Sequence, residues 1–191
     1  MSEWRSIHLT QARQVAALMG VTKDLPAPEV SVRARYEALK AEDPAQALTF
    51  LAHALPRFEA ILWAAGMLAQ AHGPAPSRKQ QTVRAAIRHW VDRQDDAARR
   101  AVYDSAQPLA RDLPERSLAG AIFYSGGSIA PLDTPPVLPV PGLANRLAAL
   151  AVIEAAYLSG DATGFIEDAL EQAEAVAQHG ATAQTMGRNA A

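Results

Sequence analysis

Residues 143–158 read LANRLAALAVIEAAYL, and this stretch decides the fold class. It is apolar all round, which is typical of a helix at the centre of its domain. Its most apolar part, residues 147–158, has 12 residues and contains Glu154, whereas a membrane span needs roughly 20 apolar residues. Residues 57–71 have the same character. We therefore expect these two segments to form the central helices, with the other helices packed around them.

The composition extends this helical prediction to the whole chain. Of the 191 residues, 42 are alanine, the best helix former and a poor strand former. No run alternates apolar and polar residues over the length of a strand. The sequence therefore predicts an all-α protein, an irregular bundle of about eight or nine helices. We expect a single helical domain over residues 1–180 and a disordered tail over residues 181–191.

Signals that start and stop helices divide the chain into segments. Serine or aspartate residues that can act as N-caps precede several of them, and Gly or Pro follows many. The predicted helices cover residues 10–19, 32–41, 44–54, 57–71, 78–94, 95–106, 114–125 and 143–158, with a last helix that starts after Asp161 or Thr163 and ends near 178.

The most unusual segment is residues 126–141, GGSIAPLDTPPVLPVP, here called the proline loop. Structureless loops longer than about 12–15 residues are uncommon in compact domains and are often functional or disordered. This loop has one charge, Asp133, and its prolines favour an extended path. We expect a strap docked on the helices, which either completes the core or meets a partner with its outer edge. The side chains expected to be partly buried are Ile129, Leu132, Val137, Leu138 and Val140.

The diglycine at the start of the proline loop, within Ser125-Gly126-Gly127-Ser128, follows a helix. A phosphate cradle would need the glycines to precede a helix, with a lysine close behind. We expect the diglycine instead to end helix 114–125 with a residue in the left-handed conformation.

No pattern in the sequence predicts a catalytic residue, a metal site or a cofactor. The absence of cysteine excludes disulfides, thiol nucleophiles and cysteine-ligated metals. The histidines show neither His-Glu-x-x-His nor i, i+4 spacing, and the chain has no Gly-x-Ser-x-Gly elbow or Walker loop. The five histidines are His8, His53, His72, His89 and His179.

Two carboxylates, Glu59 and Glu154, fall in apolar surroundings. A buried carboxylate must be paired or protonated. We expect a structural arginine–glutamate pair that ties helices together; the alternatives are an acid–base pair in a helical pocket, or exposure to water. The candidate partners are Arg57, Arg84, Arg88 and Arg146.

The charge distribution is uneven although the net charge is only −2. Residues 77–100 have a net charge of +4, and residues 126–191 have −5. Arg84, Arg88 and Asp92 follow one another at i+4 steps on one helix face. This spacing favours a solvated face with ion pairs, or alternatively docking to an acidic protein surface. Nucleic acid is not expected, because aromatic residues do not alternate with the basic ones.

Several short motifs occur between residues 45 and 160: Leu55-Pro56-Arg57, Glu59-Ala60, Trp63-Ala64, Trp90 and Ser125-Gly126-Gly127-Ser128-Ile129-Ala130-Pro131, with the proline run into Gly142-Leu143. Together they resemble a bacterial helical family of unknown function whose members are often encoded near type VI secretion loci. The resemblance implies no activity and no catalytic residues. It raises the expectation of an accessory role in secretion.

These observations predict a non-enzymatic cytoplasmic protein that binds another protein, as an adaptor, chaperone or regulator. The link to type VI secretion is what the resemblance implies. The N-terminus lacks the apolar run of a signal peptide, and no membrane insertion is expected. The alternatives are a bundle that binds or converts a small molecule through a buried carboxylate, and an immunity protein that neutralises a toxin. The predicted partner-binding residues are Arg84, Arg88, Tyr124, Ser125, Gly126, Gly127, Ser128, Pro131, Pro135 and Pro136.

Overall fold

A computed structural model describes residues 4–180, so the tail predicted at 181–191 lies outside the described residues. Over residues 4–180 the chain forms nine α-helices and no strand, apart from one isolated bridge between Gln11 and Ser31. The all-α prediction is confirmed. None of the helices in this range has the length and apolar character needed to cross a bilayer. The helices are α1 (Ala12–Leu18), α2 (Val32–Glu42), α3 (Pro44–Ala54), α4 (Arg57–Gln70), α5 (Arg78–Arg93), α6 (Asp96–Ala106), α7 (Pro114–Phe123), α8 (Leu143–Leu158) and α9 (Ala162–His179).

Side chains that cap the first turn set the starts of five of the nine helices in residues 4–180. The Asp43 carboxylate, for example, accepts hydrogen bonds from the backbone N–H groups of Ala45 and Gln46, both at 3.0 Å. Such caps satisfy amide groups that have no partner within the helix. The predicted boundaries are therefore close to the observed ones, although α1 starts later and α7 ends two residues earlier. The caps are Ser31, Asp43, Ser77, Asp95 and Asp161.

The two apolar helices form the centre, as predicted. Helix α8 packs against α3, α4, α7 and α9, and α4 packs against α3, α7, α8 and α9. Eight residues of α8 are buried, and six of them are alanine. Because alanine has no side chain beyond Cβ, neighbouring helices can approach α8 closely, and its burial costs no side-chain entropy.

Helices α3 and α7 are more deeply buried than their sequences predict. Nine of the ten residues of α7 are buried, including Glu115, and seven of the eleven residues of α3 are buried, including His53. The sequence of α7 contains charged and hydroxyl side chains, which usually face water. The structure accommodates them by hydrogen bonding, since Glu115 is paired with Arg84.

Two buried polar side chains link helices across the core. The Asn145 Nδ2 group on α8 donates to the carbonyl oxygens of Ala52 and Leu55, at 2.8 and 3.0 Å, and so satisfies the C-terminal end of α3. The Trp63 Nε1 group on α4 donates to the Ala169 carbonyl on α9 at 3.0 Å. Each bond ties a central helix to a neighbour and fixes their relative register.

The proline loop differs from the predicted docked strap. Its start is attached to the bundle and Ile129 is half-buried, but the other four side chains expected to be buried are exposed. The attachment uses backbone carbonyl groups of the loop rather than its apolar side chains. The exposed fractions are 79% for Leu132, 51% for Val137, 75% for Leu138 and 70% for Val140.

The diglycine also differs in part from the prediction. Tyr124, the residue after α7, has φ −86°, so a left-handed residue does not follow the helix directly. Gly127 has φ +67° and lies against the side chains of Asp96 and Arg99. A Cβ at this position would lie 3.1 Å from Asp96 Oδ1 and 3.2 Å from Arg99 Nη2. Glycine is therefore needed here because the chain turns over a buried charge.

Replacing a central alanine with a larger residue tests the close packing around α8. Ala148 is fully buried, so Ala148→Leu should lower the free energy of unfolding by about 1–3 kcal/mol through overpacking. The measurement is urea denaturation. Ala85→Leu, at an exposed position of α5, is the matched control and should change it by less than about 0.5 kcal/mol. Equal effects of the two substitutions would contradict close packing at α8.

Candidate functional site

The base of the proline loop is held by a buried arginine. Arg99 on α6 is 4% exposed. Its Nε and Nη2 atoms donate to Asp96 Oδ1 at 2.9 and 2.5 Å, and Nη2 also donates to the Ser128 carbonyl at 2.8 Å. Its Nη1 atom donates to the carbonyl of Phe123, the last residue of α7. One guanidinium group therefore connects α6, the end of α7 and the loop.

A second arginine reinforces this attachment. Arg100 donates to Asp96 Oδ2 at 2.9 Å and to the carbonyl oxygens of Ser128 and Ala130 at 2.8 and 3.0 Å. Hydrogen bonds from Arg100, and then from Arg99, hold the pKa of Asp96 below its ordinary range, so this carboxylate stays ionised at neutral pH. We call Asp96, Arg99 and Arg100 the arginine clamp.

Hydrogen bonds within the proline loop fold it back on itself. The Ser128 hydroxyl accepts from the backbone N–H groups of Ala130 and Val137, at 3.2 and 3.0 Å. The Ile129 N–H group donates to the Val137 carbonyl at 2.8 Å. These bonds bring the two ends of residues 129–137 together, so the arginine clamp fixes the base of a lobe that carries its apolar side chains on the outside.

Aromatic rings support the clamp from α6 and α7. Tyr103 stacks on Phe123 with their ring centroids 4.2 Å apart, and Tyr124 lies edge-on to Phe123 at 5.2 Å. The Arg99 guanidinium lies 4.9 Å from the centroid of the Phe123 ring. These contacts fix the rotamer of Arg99, because a planar guanidinium on an aromatic face has few alternative positions.

The predicted partner-binding residues fall into two separate groups. Tyr124 through Ser128, with the exposed Pro131, Pro135 and Pro136, lie in or beside the proline loop. Arg84 instead binds Glu115 near the start of α7, nine residues or about 13 Å from Tyr124 along a helix axis. Arg88 is exposed on α5. The structure therefore does not join the two arginines to the loop in one site.

Arg84 forms the structural arginine–glutamate pair that was predicted, but with a different glutamate. Glu115 is fully buried, and its Oε1 atom accepts from Nε and Nη2 of Arg84, both at 2.7 Å. Its Oε2 atom accepts from Gln80 at 3.1 Å. Both carboxylate oxygens are satisfied, which stabilises a charge that burial would otherwise penalise. The pair links α5 to α7.

Glu59 and Glu154 are half-buried and differ from the prediction of arginine partners. Within residues 4–180, each has one carboxylate oxygen, Oε2, that is buried without a hydrogen-bond partner. Burial raises the pKa of both groups, and hydrogen bonds from Ser6 and Ser117, respectively, oppose that effect. Asp112 and Glu115 raise the pKa of Glu154 further. Among the described residues no group of three or more His, Asp or Glu side chains is placed to hold a metal ion.

Comparison with protein families gives one match. The model of a family described as a family of unknown function (DUF6931) matches residues 36–177. The chain belongs to DUF6931. The match to DUF6931 includes the arginine clamp and the whole proline loop. No curated protein and no solved structure matches the chain.

The sequence of this DUF6931 chain did not lead us to predict the arginine clamp. From the sequence, Arg99 and Arg100 contributed only to the positive charge of residues 77–100. Their spacing from Asp96, three and four residues along one helix, was the available signal, since such pairs face each other on a helix. The pattern gives no indication that both arginines also reach loop carbonyls about 30 residues further along the chain.

Removing the buried guanidinium tests the role of the arginine clamp. Arg99→Gln removes the donor to the Phe123 carbonyl and one of the two donors to the Ser128 carbonyl, and it leaves Asp96 with one arginine, so the free energy of unfolding should fall by about 2–4 kcal/mol. Amide exchange at Ile129 should also become faster. The measurements are urea denaturation and hydrogen exchange. Arg93→Gln removes an arginine whose side chain is 64% exposed and serves as the control, with an expected loss below about 1 kcal/mol. Unchanged exchange at Ile129 in Arg99→Gln would show that the clamp does not hold the loop.

The raised pKa of Glu154 predicts a stability effect that depends on pH. A carboxyl group whose pKa is higher in the folded state contributes stability below its ordinary pKa, near 4.5, and loses that contribution as the pH rises through the raised value. Glu154→Gln keeps the shape without ionising, so it should raise the free energy of unfolding at pH 8, and the gain should shrink toward zero at pH 4. Urea denaturation at the two pH values measures this gain in the free energy of unfolding.

Glu171→Gln, on the exposed side of α9, is the control and should show no such dependence. The same pH dependence in both variants would contradict the role given to burial of Glu154.

Proposed function

We propose that the protein is a non-enzymatic accessory protein that binds another protein through the apolar side chains of the proline loop. The observation that carries this proposal is the exposure of Leu132, Val137, Leu138 and Val140, each of which is more than half exposed. Monomeric soluble proteins rarely present neighbouring large apolar side chains to water unless a partner covers them.

The rigid base of the loop supports this proposal. A loop that is ordered before binding loses less conformational entropy when it binds, and this increases affinity without any new contact. The arginine clamp, the Ser128 hydrogen bonds and the prolines all restrict the backbone of the loop. The chain therefore presents its apolar side chains on a restrained lobe.

The chemistry of the loop indicates what the partner surface looks like. Extended proline-rich segments are recognised by shallow apolar grooves that aromatic side chains line. Residues 135–141 read PPVLPVP and carry no charge, so the partner surface need not be charged. We propose a partner with a groove of this kind rather than an acidic surface, because Arg84 and Arg88 do not lie beside the loop.

The cellular role remains part of the proposal. An adaptor, chaperone or regulator in the cytoplasm, linked to type VI secretion, agrees with the resemblance of Leu55-Pro56-Arg57 and of residues 125–131 to a family encoded near such loci. A restrained lobe with an apolar outer surface suits such a role, since it can bind a partner without any catalytic group.

Photo-crosslinking in the native host tests the loop directly. A photoreactive amino acid at position 138 should crosslink to one partner protein, whereas the same amino acid at position 25 should not, because Leu25 is 38% exposed but lies outside the loop. The crosslinked partner is then purified for binding measurements. Crosslinking of the same proteins from both positions would contradict the proposal.

Binding by the purified partner provides the quantitative test. The combined substitution Leu132→Ser, Val137→Ser, Leu138→Ser and Val140→Ser should weaken binding at least tenfold, since about 1.4 kcal/mol of lost apolar contact suffices. Val21→Ser with Leu25→Ser changes two other exposed apolar residues and should leave the affinity within about twofold. Isothermal titration calorimetry measures both. An unchanged affinity of the loop variant would show that the partner binds elsewhere.

A further inference from the structure

A cleft of about 450 Å³ lies beside the far end of the proline loop. Its walls come from four parts of the chain that are distant in sequence. They are the N-terminal segment, the end of α1, the junction of α3 and α4, and the stretch from Pro139 through the start of α8. This volume falls in the range of small-molecule sites, roughly 300–1,000 Å³. The lining includes His8, Leu9, His53, Arg57, Pro139 and Asn145.

His53 lines this cleft and has a buried ring nitrogen without a hydrogen-bond partner among the described residues. The residue is 2% exposed, and its Nδ1 atom lies 2.7 Å from the Thr49 carbonyl. Since a carbonyl only accepts, Nδ1 carries the proton. Burial, the largest cause, lowers the pKa of His53, so the ring is neutral at pH 7 and Nε2 is an acceptor. Over residues 4–180 this Nε2 atom is buried without a partner, and such an atom is satisfied by a ligand that donates an N–H or O–H group.

Two helices begin at the cleft. Pro56 is the N-cap of α4 and Gly142 is the N-cap of α8, and both residues line the cleft. In the described part of the chain, no side chain caps either helix. The first amide groups of a helix have no partner within it and carry a partial positive charge. Both helix starts therefore favour an anionic group in the cleft.

The charged residues around the cleft select an anion of low charge. Arg57 lines the cleft and is exposed to solvent. Glu59, in the first turn of α4, interacts electrostatically with His8, another lining residue. Arg57 is the one arginine or lysine that lines the cleft within residues 4–180, so a single carboxylate matches its charge better than a dianionic phosphate does. Leu9, Leu55 and Pro139 supply an apolar wall for the rest of the ligand.

We propose that this cleft binds a monocarboxylate with an apolar body and an N–H or O–H donor beside the carboxylate. The carboxylate lies at the starts of α4 and α8, near Arg57, and the donor bonds to Nε2 of His53. An N-acylated amino acid and the C-terminus of a peptide share this chemistry. The site takes Pro139 and Pro141 of the proline loop as part of its wall but none of Leu132, Val137, Leu138 and Val140, so it stands or fails independently of the proposed function.

A set of matched probes tests the ligand chemistry on the full chain. N-acetyl-L-leucine has the carboxylate, the N–H donor and the apolar body. N-acetyl-L-leucinamide lacks the carboxylate, and 4-methylpentanoate lacks the donor. In a two-dimensional amide NMR titration, N-acetyl-L-leucine should shift the signals of Arg57 and Asn145 saturably. Both analogues should bind at least fivefold more weakly. The imidazole ¹⁵N signal of His53 Nε2 should shift only with the two probes that contain the donor.

Two variants locate the binding groups. Arg57→Gln should weaken N-acetyl-L-leucine binding at least fivefold, whereas Arg111→Gln, an exposed arginine that does not line the cleft, should not change it. His53→Phe removes the acceptor, so N-acetyl-L-leucine and 4-methylpentanoate should then bind equally. Circular dichroism checks that each variant is folded. If His53→Phe does not fold, the comparison of Arg57→Gln with Arg111→Gln tests the site by itself.

A peptide with a free C-terminus separates the two sources of the ligand. Tighter binding by an acetylated tripeptide ending in leucine than by N-acetyl-L-leucine assigns the site to peptide C-termini. The opposite order assigns it to small acids, and either order supports the shared chemistry. The proposal is overturned if none of the probes binds at 10 mM, if inorganic phosphate binds as tightly with the same loss in Arg57→Gln, or if the shifts lie outside the cleft.

Discussion

The close approach of helices to α8 is the constraint on which the rest of this structure depends. Six alanines among the eight buried residues of α8 leave room for four neighbouring helices. A larger side chain there would force neighbours apart, because protein interiors are packed as densely as organic crystals. The same geometry places the Asn145 amide against the end of α3 and brings Gly120 of α7 close to Leu147. The positions of α3 and α7 thus follow from the small surface of α8.

The position of α7 in turn sets the position of the proline loop. The carbonyl of Phe123, at the end of α7, accepts a hydrogen bond from Arg99. In the loop, the Ser128 carbonyl accepts from both Arg99 and Arg100, and the Ala130 carbonyl accepts from Arg100. Asp96 neutralises part of this charge. Polar backbone groups thus attach the loop, and this explains how its apolar side chains stay in water while its base stays fixed.

The sequence predicted the helices well because local signals determine them. Caps such as Asp43 and prolines such as Pro114 act within one turn, and the uniform apolar character of residues 143–158 was enough to identify the central helix. Burial of α7 was missed because the partner of Glu115, Arg84, is 31 residues away. The burial of the proline loop was predicted wrongly for a related reason. Its apolar composition favours burial, but only the fold decides whether the helices offer a surface on which these side chains can pack. The arginine clamp and the cleft beside His53 join distant segments, and no local pattern encodes such contacts.

Gly142 closes the far end of the proline loop against α1. Its φ is +79°, and a Cβ there would lie 2.2 Å from the carbonyl oxygen of Leu18. Both ends of the loop are thus fixed by contacts that do not involve its middle. Residues 131–136 could then change in length or composition while the bundle stays intact, since lengthening a surface loop costs little free energy. The fold is in this respect a natural scaffold for displaying grafted peptides.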